Sequence, residues 1–185
     1  MNHENIKAAI FDASGISRTI KRISHEILEK NDDFSSLCLV GIRTRGVPMA
    51  HRIAECIKNI EGIEIPTGNL DITFYRDDLS CKDANPTVNC GEIGFCIEGK
   101  NVILVDEVIF TGRTVRAALD AIMANGRAAR IQLAVLVDRG HREIPIRPDY
   151  VGKNIPTSKN EIVRVSFTET DGVDKVDLFD IPSNA

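Results

Sequence analysis

Along the chain, unbroken apolar runs alternate with stretches whose apolar residues recur every three or four positions. Leu37 to Ile42 reads Leu-Cys-Leu-Val-Gly-Ile, the pattern of a strand buried on both faces. Val47, Ala50, Ile53, Ala54 and Ile57 then keep helical spacing and predict a helix from Val47 to Ile60. Leu70 to Tyr75 alternates Leu, Ile and Phe with Asp, Thr and Tyr, which predicts a strand with one wetter face. Val102–Val105 and Ile131–Val137 are two more dry strands. Between them an Ala-rich helix is predicted from Thr114 to Ala124, stopped by Asn125-Gly126. Ile162–Phe167 and Val176–Ile181 are further strand candidates that either extend the sheet's edge or form a small cap. Upstream, Ile16, Ile20, Ile23 and Ile27 place one apolar stripe on a helix from Ile16 to Leu28. Strands alternating with helices imply βαβ units. The expected fold class is therefore α/β, a parallel sheet flanked by helices with right-handed crossovers, in one domain over residues 1–185. Asp77–Lys100 breaks the rhythm with charge, Asn, Pro and Gly, and is expected to be a mobile loop or hairpin that, with the C-terminal strands, forms a small cap.

Composition narrows the classes. A chain that is 43% hydrophobic and 27% charged can build a core and is not expected to be disordered. No apolar run approaches the roughly 20 residues of a membrane span, and no apolar stretch follows an N-terminal basic cluster. A cytoplasmic protein with no membrane partner is expected. The cysteines Cys38, Cys56, Cys81, Cys90 and Cys96 are odd in number and contain no CxxC pair, so they read as free thiols rather than a disulfide framework or zinc site. The net charge of −4 supplies no field that would draw the molecule onto nucleic acid, so any polyanion must meet a local basic patch.

The segment Val102 to Thr114, Val-Ile-Leu-Val-Asp-Glu-Val-Ile-Phe-Thr-Gly-Arg-Thr, carries the sharpest chemistry. A dry strand ends in Asp106 and Glu107, and a short turn leads into a helix. Such a turn favours phosphate, because free N–H groups and the positive end of the helix dipole point outward. Gly112 lets the backbone come close, and Thr111 and Thr114 offer hydroxyls. Carboxylates beside a phosphate repel it unless sugar hydroxyls or a metal ion intervene. The residues alone therefore suggest a ribose 5-phosphate, its phosphate at Thr111–Thr114 and its diol at Asp106 and Glu107. A second feature is basic. Arg18, Lys21, Arg22 and His25 line the helix face opposite the isoleucine stripe, and Arg139, His141, Arg142, Arg147 and Lys153 form another cationic group. If folding or dimerisation joins the two, a phosphate-binding surface results. Only 5% of residues are aromatic and none is Trp, so base stacking is a minor contributor.

The Val102–Thr114 segment resembles the phosphoribosyl-diphosphate (PRPP) motif of type I phosphoribosyltransferases. Gly41-Ile-Arg-Thr-Arg-Gly46, Asp71-Ile-Thr-Phe-Tyr-Arg-Asp-Asp-Leu79, Val137-Asp-Arg-Gly-His-Arg-Glu-Ile-Pro-Ile-Arg147 and Gly152-Lys-Asn-Ile-Pro-Thr-Ser158 are similar to one subfamily. It is the bifunctional pyrimidine operon attenuation regulator and uracil phosphoribosyltransferase family, and the resemblance runs from about Ile20 to Ser158. It implies that uracil and PRPP give UMP and diphosphate with Mg²⁺, by positioning and electrostatics more than by a strong base. It implies that Thr111, Gly112, Arg113 and Thr114 hold the 5-phosphate and that Asp106 and Glu107 hold the ribose. Arg43, Thr44, Arg45 and Gly46 would hold the diphosphate, and Asp138 and Arg139 the base. It also implies that Arg22, His25, His141, Arg142, Arg147 and Lys153 bind a leader mRNA stem-loop of pyrimidine genes under control of UMP or UTP, in a homodimer or larger homo-oligomer. Two alternatives remain: a phosphoribosyltransferase for another base without an RNA role, and a nucleotide-sensing RNA regulator with little catalysis. The family shows two aspartates where this chain has Asp106 and Glu107. The extra methylene displaces the carboxylate by about 1.5 Å, so reduced or altered turnover is expected rather than lost binding.

Overall fold

The structure is a computed structural model, and it describes residues 6–73 and 93–181. Strand β1 (Ile6–Phe11) leads into helix α1 (Ala13–Lys30). Asp12 caps that helix, its Oδ1 accepting from the Gly15 N–H at 2.7 Å. Strand β2 (Leu37–Ile42), buried throughout, is followed by α2 (Gly46–Glu61) and β3 (Thr67–Leu70). Strand β4 (Asn101–Ile109), helix α3 (Arg113–Asn125), β5 (Arg130–Asp138) and β6 (Tyr150–Asn154) complete the main layer. Strand β7 (Glu161–Ser166), the one-turn helix α4 (Thr168–Asp171) and β8 (Lys175–Asp180) close the described chain.

Five strands form a parallel sheet in the order β3-β2-β4-β5-β6. The period of two along each strand divides the core. Leu37, Leu39, Ile103 and Val105 face α1 and α2, where Ile16, Ile20, Ile23 and Ile27 pack. Cys38, Val40, Val102 and Leu104 face α3 on the other side. The expected α/β sheet flanked by helices is what forms. Strands β1, β8 and β7 make a separate three-stranded antiparallel sheet, so the C-terminal strands form a cap and do not extend the main sheet.

Several boundaries differ from the sequence pattern. The strand predicted from Leu70 to Tyr75 ends at Leu70, because Asp71 Oδ1 accepts from the Thr73 N–H (2.9 Å) and hydroxyl (2.6 Å) and turns the chain. Positions 74 and 75 lie outside the described residues. Strand β4 runs past Val105 to Ile109, because Val108 and Ile109 still pair with Val137 and Asp138. The acidic pair therefore sits inside the strand's last turn of pairing. Strands β1 and β6 were not predicted. Of Asp77–Lys100, residues 77–92 lie outside the described part. Ile93 and Ile97 are buried against the α3 side of the sheet, in the core and not in the cap. Cys38, Cys56 and Cys96 are free thiols, while Cys81 and Cys90 lie outside the described residues. Among the described residues no helix is long and apolar enough to cross a membrane.

Candidate active site

The carboxyl ends of β2, β4 and β5 meet at one edge of the sheet, where open α/β sheets bind ligands. The first part of the site is the turn from β4 into α3. Gly112 takes φ +94° and, as the N-cap residue, has no side chain to cap the helix, so the first turn of α3 borders a cleft of about 380 Å³. Asp106, Phe110, Thr111, Gly112, Arg113, Thr114 and Glu143 are among its lining residues. The Arg113 N–H makes a 3.4 Å contact with the Thr111 hydroxyl. The Thr111 carbonyl accepts from the N–H groups of Glu143 (3.0 Å) and Ile144 (3.2 Å), which fixes the turn from the β5–β6 loop.

A second cleft of about 360 Å³ shares Asp106, Val108 and Thr114 with the first and adds Arg43, Thr44, Asp71, Ile72, Thr73 and Glu107. Asp106 is only 6% exposed. Burial, reinforced by the neighbouring charge of Glu107, raises its carboxyl well above the usual carboxylate range. Its Oδ1 accepts from the Glu107 N–H at 3.0 Å. Asp71 is held below the usual range, first by its hydrogen bonds from Thr73. The predicted phosphate and ribose residues thus line two joined clefts together with Arg43 and Thr44, whereas Arg45 and Gly46 of the predicted diphosphate set are not among the lining residues.

The loop after β2 is set by close packing. Gly46 presses on β4, where a Cβ would lie 2.2 Å from the Val105 carbonyl oxygen. The Arg43–Thr44 peptide is cis. Arg43 and Thr44 are exposed, with Arg43 Nη1 3.4 Å from Asp71. Arg45 points elsewhere: its Nε and Nη2 donate to both oxygens of Asp171 on α4, at 3.0 and 2.6 Å. That guanidinium is the first cause holding Asp171 well below the usual carboxylate range. Two turns along α2, Arg52 donates to Glu169 at 2.7 and 2.6 Å and to both oxygens of Asp174 at 2.8 Å. Sequence reasoning missed these cap acids. No local pattern joins Arg45 to a residue 126 positions away.

At the end of β5, Asp138 accepts from Arg142 Nη2 (2.5 Å) and from the Gly140 N–H (2.9 Å). Arg139 is buried. Its guanidinium lies 4.0 Å from the Phe110 ring centre and donates to Thr157, Ser158 and Glu161. Arg142 also donates to the carbonyls of Phe110 (2.8 Å) and Ile146 (3.0 Å). His141 meets the Phe110 ring edge-on at 5.7 Å. The side chain of Arg142 thus braces the 138–146 loop against the phosphate turn, while Arg139 ties the end of β5 to residues 157–161 and stacks on Phe110.

The cations predicted to meet RNA fall into two sets. Arg22 and His25 are exposed on α1, and Arg22 Nη2 donates to the carbonyls of Val151 (3.0 Å) and Gly152 (2.5 Å) on β6. That contact brings the helix ridge beside Lys153, whose ammonium lies 5.1 Å over the Phe11 ring. His141, Arg142 and Arg147 belong to the β5–β6 loop beside the candidate active site.

A phosphoribosyl transferase domain model matches residues 7–170, most of the chain. Among solved structures, the hypoxanthine phosphoribosyltransferase of Trypanosoma cruzi superposes with a TM-score of 0.71 at 17% identity, covering 95% of this chain and 98% of that one. One from Staphylococcus aureus gives 0.70 at 18% identity, with 96% of each chain covered. At such identities the likeness is one of fold, and with the family model it defines the class: a type I phosphoribosyltransferase. Curated relatives refine it. Bifunctional protein PyrR of Acetivibrio thermocellus is 58% identical over 175 residues, 95% of each chain. That of Caldicellulosiruptor bescii is 60% identical over 167 residues, 90% of this chain and 92% of the relative. The chain belongs to the PyrR family of bifunctional proteins.

Proposed function

We propose that this chain transfers the ribose 5-phosphate of PRPP to uracil, giving UMP and diphosphate, and that with pyrimidine nucleotide bound it holds a leader mRNA stem-loop of pyrimidine genes. One observation carries the enzymatic half. The uncapped start of α3 and the buried carboxyl of Asp106 line two clefts that share Asp106, Val108 and Thr114. The first-turn N–H groups and the hydroxyls of Thr111 and Thr114 bind the 5-phosphate, with Arg113 at its rim. Asp106 and Glu107 accept from the ribose hydroxyls. For a carboxyl whose charge burial disfavours, such donors stabilise the ionised form. The two carboxylates then stand near the positive charge that grows on the sugar as diphosphate leaves C1. Arg43, Thr44 and the backbone to Gly46 receive the diphosphate, while Arg45, tied to Asp171, orients that loop from the cap.

Among the described residues no three His, Cys, Asp or Glu side chains are grouped to hold a metal ion by themselves, so Mg²⁺ would arrive on the oxygens of PRPP, with Asp106 and Glu107 lining the cleft beside it. Bound with PRPP, it would spread the charge of the departing diphosphate. Asp138 and Arg139 place uracil at the end of β5. For RNA, Arg22, His25 and Lys153 supply a phosphate-binding face, and His141 and Arg147, on the loop that Arg142 braces, a second, in a cytoplasmic homodimer or larger homo-oligomer. The test pairs two assays on the full chain: initial rates with uracil, hypoxanthine or orotate plus PRPP, and leader-RNA binding with and without UMP. Expected are a rate with uracil alone and UMP-dependent RNA binding. A preference for another base, or RNA affinity that UMP does not change, overturns the reading.

A further inference from the structure

Glu143 is an acid lining the cleft that is built for a phosphate. Its Oε2 accepts from Arg113 Nε at 2.8 Å, and Arg113 belongs to the phosphate turn itself. Its own backbone N–H donates to the Thr111 carbonyl, so the side chain is delivered to this place by the turn it faces. Ile144 and Ile146 roof Gly112, 3.5 to 3.8 Å from where a Cβ would be. The β5–β6 loop is thus fastened to the phosphate turn in two ways. Backbone bonds to Thr111 and the Arg142 bonds to Phe110 and Asp138 do not involve the position a ligand phosphate would take. The Arg113–Glu143 pair does.

We propose that Glu143 is a specificity-determining residue of the phosphate cleft: its carboxylate holds Arg113 until the 5-phosphate of a nucleotide or of PRPP takes that guanidinium over. A phosphate with up to two negative charges binds Arg113 more strongly than one carboxylate and repels Glu143. Released, Glu143 no longer ties the middle of the segment that carries His141, Arg142 and Arg147. The phosphate group, and not the base, is then what the loop senses. The exchange is cheap because both partners of the pair are about half exposed, where an ion pair contributes little stability. Coupling is reciprocal: whatever factor UMP adds to RNA affinity, RNA adds to UMP affinity. The RNA half rests on the function proposed above; the competition for Arg113 does not.

The test compares the wild-type chain with Glu143→Gln, which keeps shape and removes charge, and with Glu143→Asp, which keeps charge. Titration calorimetry with UMP, and with uridine as the phosphate-free probe, reads the competition directly. Expected is UMP binding about five- to tenfold tighter in Glu143→Gln, uridine binding unchanged, and Glu143→Asp near wild type. UMP affinity that stays the same or falls in Glu143→Gln overturns the proposal, whatever the protein does with RNA. So does an equal gain for uridine, which would make the effect one of general packing. Leader-RNA binding with and without UMP then reads the coupling. In Glu143→Gln the affinity without UMP should rise toward the UMP-bound value, shrinking their ratio toward one. A ratio unchanged from a UMP-responsive wild type overturns the sensing role. A wild type indifferent to UMP overturns the sensing role as well as the RNA reading, and leaves the competition to be decided by the calorimetry.

Discussion

Replacing Gly46 with Ala probes how the diphosphate loop is seated. An ideal Cβ there would lie 2.2 Å from the Val105 carbonyl oxygen, 3.1 Å from its carbon and 3.3 Å from Asp106 Cα. All three atoms are backbone, so no side chain can rotate away. Restoring an ordinary C···O spacing of about 3.3 Å requires the loop or β4 to move by roughly 1 Å. Overpacking of this kind costs about 1–3 kcal/mol. At about 2–4 °C per kcal/mol for a chain of this size, Tm should fall by roughly 2–12 °C. The displacement also parts the diphosphate loop from Asp106, and a misplacement near 1 Å costs about 100-fold in rate. Gly62→Ala is the control: Gly62 takes φ +72° at the end of α2 with nothing within 4 Å of its Cβ position. It should lose about 1 kcal/mol of stability through left-handed strain and keep its rate. The assay is the initial rate of UMP formation against PRPP at saturating uracil, with melts of the same samples. Gly46→Ala with kcat/KM for PRPP within twofold of wild type would refute the reasoning.

Changing Thr111 and Thr114 together to Ala should weaken UMP about tenfold or more, at roughly 1 kcal/mol per lost hydrogen bond; calorimetry showing intact affinity would unseat the phosphate assignment. Burial raises the folded-state pKa of Asp106, so the folded protein holds that proton more tightly than the unfolded chain does, and stability declines as pH rises from the ordinary carboxylate range through the raised value. Asp106→Asn should therefore melt higher than wild type at pH 7, show no such gain near pH 3, and lose activity by orders of magnitude. Glu107→Asp should raise turnover if the longer side chain misplaces its carboxylate; an unchanged or lower kcat would mean the site is suited to Glu. Arg22→Gln should lower RNA affinity and flatten its salt dependence by about one unit while sparing UMP synthesis. Arg142→Gln removes donors to Asp138, Phe110 and Ile146 and should lower both activities; intact UMP synthesis in that variant would show the loop is held without it.

What the sequence determined by itself was whatever contiguous residues encode. The strands at Leu37, Val102 and Ile131 were legible because a strand buried on both faces must be apolar along its length. The α1 stripe was legible because one buried helix face imposes its own period. The phosphate turn was legible for a related reason: acid pair, glycine and threonines lie within nine positions, Asp106 to Thr114, and build the cradle from one turn. Strands β1 and β6 were not legible. The first exists through its pairing with β8 at the far end of the chain. The second, Tyr150–Asn154, is an edge strand whose fit depends on Tyr150, with its hydroxyl 3.0 Å from Asn31 and 2.9 Å from Gln132. Composition marked Arg45, Arg139 and Arg142 as cations near a polyanion site, yet only the tertiary structure decided that Asp171, Glu161 and Asp138 engage them. Likewise the sequence held all the predicted RNA cations but not their division, which follows from α1 packing on β6 while the β5–β6 loop folds back over the phosphate turn. Periodicity and turn chemistry act between neighbours in the chain. The partner of a guanidinium or of an edge strand is set by which distant segments the packed core brings within hydrogen-bond reach, and no local pattern carries that information.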